Sequence, residues 1–210
     1  GEDPINYLGL DDTLYELDVH KHRNNDCYYH IGFAYEIASI LNRKVTLPEA
    51  SYKEEKDSVD KHFSLEVDTF KCPLYLAKMV TDVEVGESPE FIKKRLIAAG
   101  MRPINNVVDI SNYIMLEYGQ PMHFFDKDKL GSKVLVRDAK DNEEVVTLDG
   151  KTRVLKSSDI VITDGEKPVC IAGVMGGENT EVDENTKNIL IEAAIFDSVK
   201  VRKTSKNSRY

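Results

Sequence analysis

The 210-residue sequence predicts an α+β domain of mixed sheets flanked by helices. Three observations predict it. The second half is a succession of β-rich runs separated by polar turns, two of which contain Asp-Gly, a strong short-range hairpin signal. The middle holds two apolar-periodic stretches, each stopped by a glycine as helices commonly are. Apolar residues make up 41% of the chain with no run of membrane-spanning length, enough for one large domain or two small ones with a real core and too apolar for a disordered chain.

Taken in order, Leu14-Tyr15-Glu16-Leu17-Asp18-Val19 alternates apolar and polar side chains and predicts a half-buried strand. A polar turn, His20 to Asp26, follows, and Asp26 is placed to cap a helix from about Cys27 to Asn42. Phe33, Ile37, Ile40 and Leu41 give that helix one apolar stripe. Pro48 and the charged run Lys53 to Lys61 read as an exposed linker, so the chain divides into a leading segment, residues 1–61, and a core, residues 62–210. In the core, Phe63 to Val67 and Leu74 to Val80 predict strands. Ser88-Pro89 opens a helix that ends at Gly100, with Ser88 as N-cap and Pro89 at the first helical position. A second helix carries Val107, Ile110, Ile114 and Met115 and stops at Gly119, and Gln120 to Asp126 reads as a loop. Strands follow at 134–136, 145–148, 152–155, 160–162 and 169–171, with hairpin turns at Asp149-Gly150 and Asp164-Gly165. A glycine-dense turn and a polar loop, Glu178 to Lys187, lead to the apolar run Ile189 to Phe196, and a last helix starts at Asp197 or Ser198.

Net charge is −9, whereas a chain that holds nucleic acid by charge alone is usually basic. The exception is the C-terminus, where Lys200, Arg202, Lys203, Lys206 and Arg209 fall together as either a phosphate contact or a solvated helix face. Cys27, Cys72 and Cys170 are scattered and odd in number, as in a protein of the reducing cytoplasm. His20, His22, Cys27 and His30 are zinc-ligand types, but their spacing matches no common zinc pattern and favours turn and capping chemistry. The chain opens on Gly1 without a signal peptide, which predicts a piece cut from something longer.

No nucleophile motif, phosphate-binding loop or His-Glu-x-x-His metal motif is present. Four features remain as a possible constellation. Ala172-Gly173-Val174-Met175-Gly176-Gly177 follows a buried run, and glycines without Cβ atoms would let a ligand approach bare N–H groups there. Glu192 is the one charge in an eight-residue apolar segment, a costly placement unless something pairs with it. His123 sits among apolar residues, where a lone histidine is usually a packed core residue. Asn106, Asp109 and Asn112 lie three apart on one helix, able to orient a ligand or simply to bond a nearby loop. Such a set would suit a small polar group in an apolar pocket.

Several motifs occur in one order: Arg102 to Asp109 with Asn112-Tyr113, Gly119-Gln120-Pro121-Met122-His123, Thr147-Leu148-Asp149-Gly150, Ala172 to Gly177, Ile191-Glu192-Ala193 and Arg202-Lys203-Thr204-Ser205. Together they resemble the editing domain of the bacterial phenylalanyl-tRNA synthetase beta subunit, densely from about His62 to Asn207 and more thinly at Leu17-Asp18 and Arg23 to Tyr35. Two stretches depart from the family: His20 to Cys27 replaces a Thr-Pro-Asn-Arg-Pro-Asp-Cys-like run, and Asn207 meets Ser208-Arg209-Tyr210 without a Leu-Gly-Leu-Arg-Ser-like loop. The resemblance implies mixed and antiparallel sheets in layers, and hydrolysis of tyrosine wrongly esterified to the phenylalanine tRNA. It assigns catalysis to His123, Glu192 and Asn112, with Glu192 on the tyrosine hydroxyl and His123 holding water or the terminal ribose. Ala172, Gly173, Val174 and Gly176 would complete the substrate wall and offer N–H groups to a developing oxyanion. It implies no metal or cofactor in this domain; ATP and magnesium would serve a synthetic site on the alpha subunit of a cytoplasmic α2β2 enzyme. The rivals are a module that only positions tRNA or a subunit, and a free-standing binder of a small aromatic metabolite.

Overall fold

The computed structural model describes residues 1, 3–7, 9 and 11–207. Among the described residues, positions 1–61 carry the α-helices α1 (Pro4–Tyr7), α2 (Asn24–Cys27) and α3 (His30–Ile40). The remainder runs β1 (Ser64–Asp68), β2 (Leu74–Val80), α4 (Glu90–Ala98), α5 (Asn106–Tyr118), β3 (His123–Asp126), α6 (Lys127–Leu130) and β4 (Lys133–Asp138). It continues through β5 (Glu144–Val146), β6 (Thr152–Val154), β7 (Ile160–Thr163), β8 (Pro168–Ile171), β9 (Met175–Gly176), β10 (Ile189–Ile195) and α7 (Ser198–Asn207). The expected α+β class, with mixed and antiparallel sheets, is what the chain forms.

Three sheets organise the molecule. β1-β4-β7-β8-β9 is mixed, because β1 pairs with β4 in parallel and the other pairings are antiparallel. β2-β10-β3 is antiparallel, and β5-β6 is a separate hairpin. The main core joins Tyr75, Phe125 and Leu190 of the three-stranded sheet to Val134, Val136, Ile160, Ile162, Val169 and Cys170 of the five-stranded one. A second cluster, Ala139, Val145, Leu155, Val161 and Ile171, joins the five-stranded sheet's other face to the β5-β6 hairpin. β7 is buried along its whole length, Ile160 and Ile162 serving one cluster and Val161 the other, as side-chain alternation in a strand covered on both faces requires.

Both helices read from the middle of the chain form. Asn105 caps α5 by accepting from the Val108 N–H at 2.9 Å, and Gly119 ends it at φ 74°. Gly100 follows α4 at φ 76°, and its N–H donates to the Ile97 carbonyl. Both Asp-Gly turns join paired strands, with Gly150 at φ 71° and Gly165 at φ 104°.

Five local readings are corrected. Leu14 to Val19 is no strand: it pairs with nothing among the described residues, and Leu14 and Tyr15 are about three-quarters exposed at 75% and 77%. The helix expected from Cys27 breaks at Tyr28-Tyr29. Gly32 packs there against the Asp26 carbonyl so closely that a Cβ would sit 1.7 Å from it. Asp26 caps nothing; it lies inside α2, and Arg23 Nε donates to its carboxylate. The apolar stripe of α3 is covered only in part, with Phe33 half-buried and Ile37 and Ile40 exposed. Ser88 is not an N-cap either. Pro89 takes that place, and the buried Ser88 hydroxyl donates to Asp109 Oδ2. The loop Gln120 to Asp126 becomes a strand from His123 onward, because β10 offers it a free edge. The tail residues Ser208, Arg209 and Tyr210 lie outside the described residues.

Candidate active site

β10 is the central strand of its sheet, and its register brings two distant residues together. Glu192 stands directly opposite His123 on β3 and opposite Ala77 on β2. Opposed side chains share a face, so Glu192, His123 and Ala77 point the same way. Tyr75, two residues before Ala77, shares that face, and its hydroxyl donates to Glu192 Oε2 at 3.0 Å. Phe125, two residues after His123, meets the imidazole edge-on at 4.4 Å between centroids. This face looks toward the core between the sheets, beside Cys72 and Cys170.

The glycine turn closes over it. β8 ends at Ile171, residues 172–174 turn, and β9 returns antiparallel with Cys170 opposite Gly176. Gly176 is buried against the histidine: a Cβ there would lie 2.4 Å from His123 Cε1, 2.8 Å from Nε2 and 3.1 Å from Leu148 Cδ1. Only a residue without a side chain lets the imidazole lie at that depth. The Thr147-Leu148 segment is fastened to the turn by the Leu148 N–H bond to the Gly176 carbonyl, 3.0 Å, and by pairing of Thr147 with Gly177. Gly173, at φ 68°, packs against Val201 of α7.

The N–H groups of this turn are largely committed, contrary to the sequence expectation. Ala172 donates to Ile160, Val174 to Ile171 and Gly177 to Val169. The glycines serve close approach to His123 and a tight return, rather than a row of bare donors.

The state of the side chains distinguishes the candidates from their neighbours. On α5, Asn106 bonds the backbone of Glu84 and Gly86, and the fully buried Asp109 accepts from Ser88 and from the Ile104 N–H. Both are structural. Asn112, half-buried in the middle of the same helix, makes no hydrogen bond among the described residues; its helix packs against β3, but no bond links its amide to His123 or Glu192. Neither ring nitrogen of His123 has a hydrogen-bond partner among the described residues, nor does Glu192 Oε1. Among the described residues the sealed and unpartnered side-chain polar atoms are Arg153 Nε and Thr180 Oγ1, so the His123 ring nitrogens and Glu192 Oε1 keep some accessible surface. Glu192, 6% exposed, therefore sends one oxygen to an internal phenol and leaves the other open.

Burial dominates the electrostatics. It pushes the Glu192 carboxyl from 4.5 up to about 7, against the opposing effect of the Tyr75 hydrogen bond. It lowers His123 from 6.5 to about 4, so the imidazole is neutral at pH 7 even though it keeps some accessible surface. The Cys170 thiol is raised by burial and by the Glu192 charge. His20, His22, Cys27 and His30 form no metal-binding group among the described residues: His20 stacks on His22, and His30 Nδ1 is bonded to the Leu116 carbonyl. An open cleft of about 540 Å³ is lined by residues 85–87, 104–105 and 181–184 and includes neither His123 nor Glu192.

Tyr75 is the residue that sequence reasoning missed. In the apolar run Leu74 to Val80 it reads as one more strand aromatic, and only the β2-β10 register reveals its acceptor.

A family model described as the B3/4 domain matches residues 71–210. Phenylalanine–tRNA ligase beta subunits are similar over almost the whole chain. That of Fusobacterium nucleatum is 46% identical over 95% of the chain and 25% of its own length. That of Staphylococcus saprophyticus is 49% identical over 98% and 26%, and that of Geobacillus kaustophilus 49% over 99% and 26%. The chain thus spans about a quarter of these relatives. It also has a loose likeness, at 16% identity and a TM-score of 0.47 over 91% of the chain and 60% of the other, to the crystal structure of an N-terminal fragment of the phenylalanyl-tRNA synthetase beta subunit from Pyrococcus horikoshii. The chain belongs to the B3/4 domain family, in the form carried by phenylalanine–tRNA ligase beta subunits.

Proposed function

We propose that this domain removes tyrosine wrongly esterified to the phenylalanine tRNA, by hydrolysis at the His123–Glu192 face. One observation carries the reading: a buried carboxylate that already binds one phenol hydroxyl, through Oε2, keeps its other oxygen open opposite an unpartnered, neutral histidine. Phenylalanine and tyrosine differ by one hydroxyl, and an apolar pocket rejects the added group only weakly. A site built to bond that hydroxyl selects strongly, because phenylalanine leaves a buried acceptor unpaired. Glu192 suits this: a donated hydrogen bond favours its ionised form, so a phenol at Oε1 offsets part of the burial cost.

The reaction is attack of water on the ester carbonyl, with release of tyrosine and the tRNA hydroxyl. His123, neutral and with free ring nitrogens, accepts a hydrogen bond from the attacking water. Its depressed pKa makes it a weak general base at pH 7, which favours water positioning over proton abstraction. Asn112, on the helix beside β3, is assigned to the substrate. Ala172, Gly173, Val174 and Gly176 form the wall that holds the substrate against the imidazole, with Gly176 setting its depth. The chemistry assigned to these residues uses no metal or nucleotide; ATP and magnesium belong to a synthetic site on an alpha subunit of a cytoplasmic α2β2 ligase, with residues 1–61 as a leading segment.

A second reading, a module that only positions tRNA or a subunit, draws on the same bond, since Tyr75 partly satisfies Glu192 without any ligand. Incubating the intact ligase with preformed tyrosyl-tRNA separates the two. Loss of the ester well above the no-enzyme rate is expected, and His123→Ala should slow that loss roughly 10- to 100-fold, the scale on which misplacing a reacting group acts. Persistence of the ester equal to the control would favour the positioning module.

A further inference from the structure

We infer that Tyr75 is a positioning residue for substrate selection: it holds Glu192 by one oxygen so that the other faces the ligand as an ionised acceptor. The inference rests on the editing reading above and concerns how the carboxylate is made fit for it.

The geometry carries the argument. Tyr75 and Glu192 are both buried, at 7% and 6% exposure, on adjacent strands of one sheet. The phenol donates to Oε2 at 3.0 Å, while Oε1 has no partner among the described residues and is not sealed. A carboxylate free to turn about its last torsion would present either oxygen, or neither, to a ligand. One fixed donor ends that ambiguity, because occupying Oε2 fixes where Oε1 points. The charged groups that face this pair are few. Cys72 and Cys170 are thiols raised by burial, Cys72 to about 11, and stay neutral at pH 7. His123 is neutral, and no lysine or arginine bridges to Glu192 among the described residues. Tyr75 is then the internal group that favours ionisation, opposing desolvation. A substrate phenol binding at Oε1 repeats the interaction that Tyr75 makes at Oε2. The carboxylate thus accepts two phenol donors, one built in and one brought by the amino acid.

Removing a single oxygen tests this. In the intact ligase, Tyr75→Phe keeps the ring and its packing but deletes the donor. Hydrogen bonds to charged groups are worth enough to change an equilibrium by roughly tenfold or more. We therefore expect tyrosyl-tRNA KM to rise about 10-fold with kcat within about threefold of wild type. The Kd of free tyrosine, measured by calorimetry, should rise in parallel. The pH at which tyrosine binding is half-maximal should move upward from its wild-type position, because Glu192 loses its favouring donor. Binding of phenylalanine should not change. A purely structural hydroxyl would move neither the pH midpoint nor the tyrosine-to-phenylalanine ratio, and a variant unchanged in both overturns the inference. So does a Tyr75→Phe chain that fails to fold, which would make the bond a matter of stability. Adding Glu192→Gln gives a double-mutant cycle on tyrosine Kd, and strict additivity would likewise count against coupling. If the wild-type ligase hydrolyses no tyrosyl-tRNA, the editing reading falls alone, since the tyrosine-binding comparison still decides the role of Tyr75.

Discussion

Glu192 and His123 carry opposite burial costs, and their pH dependence follows in sign. Glu192 folds with a pKa of about 7, above its ordinary 4.5. Its contribution is therefore full below about 4.5 and is lost as pH rises to about 7. His123 folds with a pKa of about 4, below its ordinary 6.5. Its contribution is full above 6.5 and is lost as pH falls toward 4. Between 4.5 and 6.5 the two trends oppose each other. Glu192→Gln removes the first while keeping an acceptor for Tyr75. The variant should match wild type near pH 4 and become more stable than it by about 2 kcal/mol at pH 8, given about 1.4 kcal/mol per pKa unit less relaxation at the site. Urea unfolding at the two pH values measures it, and a stability difference that does not change with pH would contradict the burial account. A stabilising substitution at a buried polar residue is what a site held for function shows.

At the scale of elements, two adjacent glycines, Gly176 at the end of β9 and Gly177 just after it, have different duties. At Gly176 a methyl group meets the edge of a side chain, His123, at 2.4 Å. The backbone there is not left-handed, so Gly176→Ala should push the imidazole aside at a modest stability cost of about 1 to 3 kcal/mol while reducing tyrosyl-tRNA hydrolysis at least 10-fold. At Gly177 a methyl group meets the Val169 carbonyl oxygen at 2.7 Å and its carbon at 3.1 Å. Backbone does not yield as a side chain does, so Gly177→Ala should lose more stability than Gly176→Ala. Thermal melting and deacylation on both variants check the contrast, and equal losses in both assays would refute it. The sequence showed that glycines cluster here but not which duty each has. That depends on the packing of β3 and β8, residues whose neighbours are distant along the chain.

For the whole molecule, local signals were legible and long-range ones were not. Gly100, Gly119, Gly150 and Gly165 punctuate the chain where the structure turns or ends a helix, because a positive φ leaves a chemical signature. Leu14 to Val19 alternates like a strand yet pairs with no strand among the described residues, since alternation alone supplies no neighbouring strand. His123 read as part of a loop because a four-residue edge strand is specified by β10 and not by its own residues. Glu192 was conspicuous as a charge in an apolar run, but the phenol that holds it lies 117 positions away on β2. The structure brings Tyr75, His123 and Glu192 together on one face, and the proposed function makes selection of tyrosine over phenylalanine the consequence to test. The decisive measurement is the ratio of deacylation rates for tyrosyl-tRNA and phenylalanyl-tRNA in the intact ligase, with and without Glu192→Ala. The account predicts a wild-type ratio of roughly 100 or more, as expected for a site that bonds a substrate hydroxyl, and a collapse toward one in the variant. A ratio unchanged by Glu192→Ala would contradict it.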